Sequence, residues 1–303
     1  MYFHIEHTTE YIYSEPAMEA FSEIRTRPRD SLRQKVHHPS THLNPAVPID
    51  DYTDYFGNHV ETISIPFRHS HLTVTSICDV VTHVFADALS GLDLTLGEAR
   101  QLYRFHLRDL HDFLIPSALV PLTRPVRELA RKLLPAQESF ATAIKHLNEY
   151  IYARFHYMPG ATHVGTTVSE FMQTRRGVCQ DFAHLMISLC RAAGIPARYV
   201  SGYIETDPPA GGAKEQPLLI GATASHAWVQ IYTPNRFWVG LDPTNNILEG
   251  ERHIQIGLGR DYSDVPPLKG IFKGARRQKL AVEVKVTRNQ VVPAEENQAA
   301  IES

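Results

Sequence analysis

The sequence predicts an α+β chain in two parts: a β-rich N-terminal region, then a unit in which a cysteine-bearing helix packs on an antiparallel sheet. Three observations carry this. Residues 1–85 hold runs rich in Thr, Val, Ile and Tyr, from Phe3 to Tyr13, Val60 to Phe67 and His71 to Val84. Between Phe140 and Ala193 apolar residues recur at helical spacing. After Pro196 the pattern returns to short strands, Ala197 to Glu205, Ser225 to Tyr232 and Phe237 to Asp242.

Each element has a local reason. In the third N-terminal run Leu72, Val74, Ser76, Cys78 and Val80 share one face, as strand alternation requires. Tyr55-Phe56-Gly57-Asn58 reads as the turn before the second run, and Pro28, Pro39, Pro45 and Pro48 as marks of an irregular connection. An antiparallel sheet or sandwich is expected here. From Ala86 to Pro121 periodicity is weak, and the stretch ends in Pro116-Ser117-Ala118-Leu119-Val120-Pro121, which reads as a loop crossing between domains. A short helix follows, with Pro125 near its first position and Pro135 past its end. Phe140, Ile144, Leu147 and Ile151 form the stripe of the next helix, which stops before Pro159-Gly160. Thr167 and Glu170 make a capping box for a helix from 168 to about 175, ended by Gly177.

The Cys179 helix comes at once. Phe182, Ala183, Met186, Leu189, Cys190 and Ala193 give it a core face, Gly194 suits a left-handed terminus, and Pro196 prevents continuation. After the three strands, with a mobile loop expected at Pro208 to Gly212, the chain passes Asp261 to Pro267 and ends in a strand from Leu280 to Thr287. The domain reading is 1–95 for the β-rich part, 96–290 for the catalytic part, and 291–303 for a flexible tail.

Composition narrows the function. The chain has 303 residues, 43% apolar and 21% charged, with formal net charge −3. That balance offers no basic footprint for nucleic acid. No apolar run approaches the ~18–20 residues a membrane helix needs, and Met1 to His7 lacks the pattern of a secretory signal. Three cysteines, Cys78, Cys179 and Cys190, are too few for a disulfide framework, so a reducing cytoplasm is expected. Cys179 and Cys190 would lie about 16 Å apart on one helix.

Cys179 occupies the first turn of its helix, where unpaired N–H groups and the positive end of the dipole favour a thiolate. His226 and Asp242 fall on adjacent strands. Pairing them directly puts Tyr232 opposite Arg236, with Thr233-Pro234-Asn235 as an ordinary hairpin loop, and sets Trp228 against Gly240. Residues opposed this way lie about 5 Å apart at Cβ, so the carboxylate can hold the imidazole with its other nitrogen toward the thiol. Nucleophile, general base and orienting group are thus available. The Cys179 N–H is one oxyanion donor, and Gln173 and Gln180 are candidates for the second. Arg176, beside Arg175, and Trp228 are candidates for the substrate cleft. His184 lies about 140° around the helix from Cys179 and should face elsewhere. Cys190 reads as a small buried hydrophobe. Cysteine, histidine and aspartate are also zinc ligands, but the spaced ligand pairs of a structural site are missing, so no metal or cofactor is expected.

Gly177-Val178-Cys179-Gln180-Asp181-Phe182-Ala183-His184, Gly194 to Tyr203, Ser225-His226-Ala227-Trp228-Val229 and Trp238 to Asn245 together resemble the bacterial transglutaminase-like superfamily. His7 to Pro16 resembles the β-rich N-terminal domain that accompanies this core in bacteria, and Asp261 to Pro267 fits the same two-domain proteins. The resemblance implies a papain-like core with Cys179 as nucleophile, His226 as general base and acid, and Asp242 as orienter. No obvious counterpart of the oxyanion tryptophan of animal transglutaminases is visible, nor a calcium-loop pattern. The expected function is acyl transfer from a peptide or other amide through a Cys179 thioester, resolved by water in preference to an amine. A non-catalytic binding or assembly module on the same fold is the alternative.

Overall fold

The computed structural model describes residues 1–83, 89, 92–205, 219–221 and 225–289. Six strands open the chain: β1 (Tyr2–Ala17), β2 (Glu19–Ile24), β3 (Gln34–Asn44), β4 (Ile49–Thr53), β5 (His59–Ile65) and β6 (His69–Thr82). Helices α1 (Leu96–Tyr103), α2 (Leu107–Leu110), α3 (Arg124–Leu133) and α4 (Phe140–Arg154) follow. Next come β7 (His156–Tyr157), α5 (Val168–Thr174), β8 (Arg176–Gly177) and α6 (Cys179–Ala192). The chain then runs through β9 (Ala197–Ile204), β10 (His226–Tyr232), β11 (Trp238–Asp242), β12 (Ile247–Leu248), β13 (His253–Gly259), β14 (Leu268–Lys273) and β15 (Gln278–Asn289).

The N-terminal half is a sandwich of two antiparallel four-stranded sheets, ordered β15-β1-β6-β3 and β14-β2-β5-β4. Alternation in β6 works as read: Leu72, Val74 and Val80 are buried. Leu72 and Val74 join Tyr13, Ile24, Ile63 and Ile65 in the core between the sheets. The stretch read as an irregular connection is corrected. It contains β2, β3 and β4, and β3 absorbs Pro39 at a bulge between His37 and Ser40, where His38 adopts φ 49°. A bulge removes the ladder hydrogen bond that proline cannot make, so a proline there does not end the strand.

The second half places α6 against an antiparallel sheet ordered β12-β11-β10-β9-β13. Ala227, Val229, Ile231, Val239 and Leu241 on one sheet face share a core with Leu185, Met186 and Leu189 of α6 and with Phe140, Ile144, Leu147 and Ile151 of α4. Every residue of α6 from Gln180 to Arg191 is buried. A fully buried aliphatic side chain contributes about 1.5–3 kcal/mol, so this helix is fixed by packing rather than by propensity. Strand β13 was missed in the sequence, although Ile254, Ile256 and Leu258 alternate and are buried.

The two halves share a core and a chain end. Tyr203, Ile254 and Ile256 of the α6-bearing sheet pack with Phe3, Ile5 and Val80. The limits 96–290 for the second domain are corrected: β14 pairs with β2, and β15 pairs with β1 from Tyr2 opposite Asn289 to Tyr13 opposite Gln278. The reason is burial of Val284 and Val286 in the core with Phe3 and Ile5. The loop expected at Pro208 to Gly212 and the tail 291–303 lie outside the described residues. Among the described residues no helix is long and apolar enough to cross a membrane.

Candidate active site

The approach to Cys179 is built by three devices. Thr167 and Glu170 form the capping box of α5, and Glu170 Oε2 accepts from the Thr167 N–H at 2.8 Å. Arg175, at φ 55°, turns the chain out of α5 in place of the expected Gly177. Gly177 is required for space instead: a Cβ there would lie 2.8 Å from the Phe171 ring and closer still to the Asp181 carboxylate. Asp181 Oδ2 accepts from the Val178 N–H at 2.8 Å and from Thr162 Oγ1 at 2.7 Å, closing the first turn of α6. Burial raises the Asp181 pKa in spite of these donors. Its signal was an acid at the third helical position.

Of the three thiols, Cys179 is the partly exposed one. Cys78 and Cys190 are buried, and burial pushes each up to about 12. Cys190 is thus the inert hydrophobe expected. His184 also faces elsewhere: its Nε2 accepts from the Tyr262 N–H at 3.2 Å and its ring packs on Tyr199.

The hairpin register is corrected by two residues. Tyr232 stands opposite Trp238 and Gln230 opposite Gly240, which leaves a five-residue loop, 233–237. The loop closes itself: the Thr233 N–H donates to the Phe237 carbonyl at 2.9 Å, the Arg236 N–H donates to the Thr233 carbonyl at 2.9 Å, and Arg236 adopts φ 68°. A shift of two preserves every face. His226 and Asp242 therefore stay on one face as diagonal neighbours, still within reach of each other. His226 Nε2 lies 2.8 Å from Asp242 Oδ2, and both side chains are fully buried.

That bond leaves Nδ1 as the other ring nitrogen, and it has no hydrogen-bond partner at ordinary geometry among the described residues. Burial alone would lower the imidazole pKa, but the Asp242 carboxylate and then the Cys179 sulfur outweigh it and raise it to about 10. Burial would conversely raise Asp242, yet His226 and then His253 hold it well below the usual carboxylate range.

Two groups of partners of Asp242, the turn residues Thr244 and Asn245 and the more distant His253, were not singled out from the sequence. Asn245 Nδ2 donates to Oδ2 at 2.7 Å, and the N–H groups of Thr244 and Asn245 donate to Oδ1 at 3.0 and 3.2 Å. His253 Nε2 lies 3.3 Å from Oδ2. The Asp-Pro-Thr-Asn turn was a readable sign of the first, because an aspartate accepting N–H groups two and three residues on is a common turn device. His253 could be found only by pairing β13 with β9.

The remaining candidates separate. Trp228, taken as a cleft residue, is fully buried; this is corrected to a packing role. Its ring lies under His226 with centroids 6.1 Å apart and edge-on to His253 at 5.2 Å. Gly202 on β9 makes room for it, since a Cβ there would come within 2.5 Å of Trp228 Cζ3. Gln180 is buried with its Nε2 donating to the Val164 carbonyl at 3.0 Å. Gln173 and Arg176 are exposed, on α5 and β8.

Comparison with known proteins agrees with the architecture. Residues 127–243 match the transglutaminase-like superfamily, and residues 3–81 match the bacterial transglutaminase-like N-terminal region. An uncharacterized protein of Mycobacterium leprae is 34% identical over 288 residues, covering 94% of this chain and 98% of that one. The chain belongs to the transglutaminase-like superfamily. A crystal structure from Cytophaga hutchinsonii, provisionally described as a cysteine protease, superposes with a TM-score of 0.75. It covers 97% of this chain and 93% of that one at 23% identity, a likeness of fold. A protein-glutamine gamma-glutamyltransferase of Pseudomonas aeruginosa is 33% identical over 132 residues, 43% of this chain and 19% of that protein. Membership of this superfamily supports an enzyme.

Proposed function

We propose that this chain is a cysteine acyl-transfer enzyme acting on an amide or isopeptide bond, with Cys179 as nucleophile, His226 as proton carrier and Asp242 as orienting anion. The observation that carries the reading is the buried 2.8 Å contact from His226 Nε2 to Asp242, which leaves Nδ1 for the thiol. Asp242 fixes the ring, and the raised imidazole pKa means that His226 enters the reaction protonated. The Cys179 thiolate attacks the carbonyl carbon. The resulting oxyanion takes a hydrogen bond from the Cys179 N–H, a first-turn donor that a helix leaves without an internal acceptor. The C–N bond breaks as His226 gives its proton to the departing amine, leaving a thioester and a neutral imidazole. Water then attacks the thioester, His226 takes its proton, and the acid leaves as the thiolate re-forms.

Hydrolysis is the proposed resolution. Transfer to an amine is the second reading, favoured by the likeness to the Pseudomonas aeruginosa glutamyltransferase. Intact-mass measurement after mixing with p-nitrophenyl acetate tests the covalent step. One acetyl group should appear on Cys179 and be absent in Cys179→Ala. A protein that never acquires the acetyl group is a binding module on this fold. With the acetyl enzyme in hand, added amines distinguish the outcomes: release of acetate alone means hydrolysis, and release of an acetamide means transfer.

A further inference from the structure

A second imidazole touches the anion of the reactive pair. His253 opens β13 and is buried. His226 on β10 and Gln255 on β13 both stand opposite Gly202 of β9. Directly opposed residues share a face, so His253, two residues before Gln255, lies on the face that carries His226. The two ring centroids are 6.5 Å apart. His253 Nε2 reaches Asp242 Oδ2 at 3.3 Å. The same oxygen holds His226 Nε2 at 2.8 Å and accepts from Asn245 Nδ2 at 2.7 Å.

The ring of His253 is held in one orientation and one tautomer. The Gly250 N–H donates to its Nδ1 at 3.2 Å, and the His253 N–H donates to the Gly250 carbonyl at 3.0 Å. A backbone N–H can only donate, so Nδ1 keeps its lone pair and the ring proton sits on Nε2, aimed at the carboxylate. The Trp228 indole meets the ring edge-on at 5.2 Å. The strand beneath it is fixed as firmly. Strand β13 lies at the edge of its sheet, and two buried amides of the β-rich half fill its open side. Gln34 accepts from the Gln255 N–H at 2.7 Å and donates to the Gln255 carbonyl at 2.7 Å. Asn58 makes the same pair of bonds with Leu258, each at 2.8 Å.

We infer that His253 is a positioning residue for the Cys179, His226 and Asp242 unit, its Nε2–H holding the Asp242 carboxylate against His226; this rests on the proposed reading of Cys179 as nucleophile. The proton transfers belong to His226, and His253 sets the geometry in which they occur. A donor on a buried carboxylate favours its anion. Without that donor Oδ2 is free to turn from His226, and the ring then loses the orientation that leaves Nδ1 for the thiol.

The test is the rate at which iodoacetamide alkylates Cys179 in the full chain at neutral pH, the sulfur bonding to the methylene carbon as iodide leaves. His253→Met fills the space without a donor and should slow labelling about tenfold, the rate equivalent of one lost hydrogen bond to a charged group. His253→Gln carries an amide N–H to the reach of Nε2 and should return the rate to within about threefold of wild type. In an Asp242→Asn background the anion is gone, and His253→Met should change the rate by less than about twofold. If His253→Met does not fold, His253→Asn replaces it, since its amide is too short to reach Oδ2 and should label as slowly. A wild-type rate in His253→Met, an equal loss in both backgrounds, or a His253→Gln as slow as the variant without the donor shows that the ring only packs, and overturns the positioning role. A wild-type chain that iodoacetamide leaves unlabelled at Cys179 instead overturns the nucleophile reading, and the positioning role with it.

Discussion

At the scale of single residues, buried histidines divide by their neighbours. His226 is held protonated by Asp242, whereas His7 and His184 are lowered to about 4, His7 by burial and His184 by burial and then Arg191 against the pull of Asp261. For a histidine whose folded pKa lies below its unfolded 6.5, the unfolded chain binds more protons between those values. Stability is therefore complete above pH 6.5 and falls as pH drops toward 4. The gap is worth on the order of 3 kcal/mol per histidine. Urea midpoints measured against pH should fall steeply over that window in wild type and less steeply in His7→Gln. Parallel curves would show that His7 is not buried in its neutral form.

At the scale of elements, α6 is oriented by what precedes it. Gly177 leaves room for Phe171 and for the Asp181 carboxylate that closes the helix start. Gly177→Ala should cost about 1–3 kcal/mol by overpacking, seen as a lower unfolding midpoint, and should slow labelling of Cys179 because the first turn must move. A variant with wild-type stability and reactivity would show that Gly177 is incidental. The same scale explains what could be read from sequence. The helices around Phe140, Thr167 and Cys179 were legible because apolar spacing, caps and prolines agreed. Helix α1 was not, although Thr95 and Glu98 form a capping box there, because its flank lacks periodicity. Strand alternation determines which face a residue occupies but not its row. His226 and Asp242 were therefore placed together correctly on a hairpin register wrong by two, and loop closure by Thr233 and Arg236 decided the row.

At the scale of the whole molecule, the chain end returns to its beginning. Strand β15 completes the sheet of β1 and supplies Val284 and Val286 to the core shared with Tyr203 and Ile254. Sequence reading assigned these residues to the second domain because long-range pairing leaves no local signature. Truncation after Pro267 removes β14 and β15, exposes the edges of β1 and β2, and should abolish cooperative unfolding of the β-rich half. A truncated chain with a wild-type thermal transition would mean the C-terminal strands are dispensable. Arg191 gives a second tie across the molecule: its guanidinium donates to the carbonyls of Ile115, Ala197 and Arg260, fastening the crossing segment to α6 and to the turn that presents Tyr262.

The claim on which the functional account turns is that Cys179, His226 and Asp242 act as one unit. The most direct measurement is the rate of iodoacetamide alkylation of Cys179, mapped by peptide mass spectrometry, in wild type, His226→Ala and Asp242→Asn at neutral pH. Wild type should be labelled stoichiometrically, and both variants should slow by 10-fold or more, within the ~10²–10⁴ span typical of lost acid–base assistance. Equal rates in all three proteins, with Cys179 no faster than a free thiol, would contradict the account.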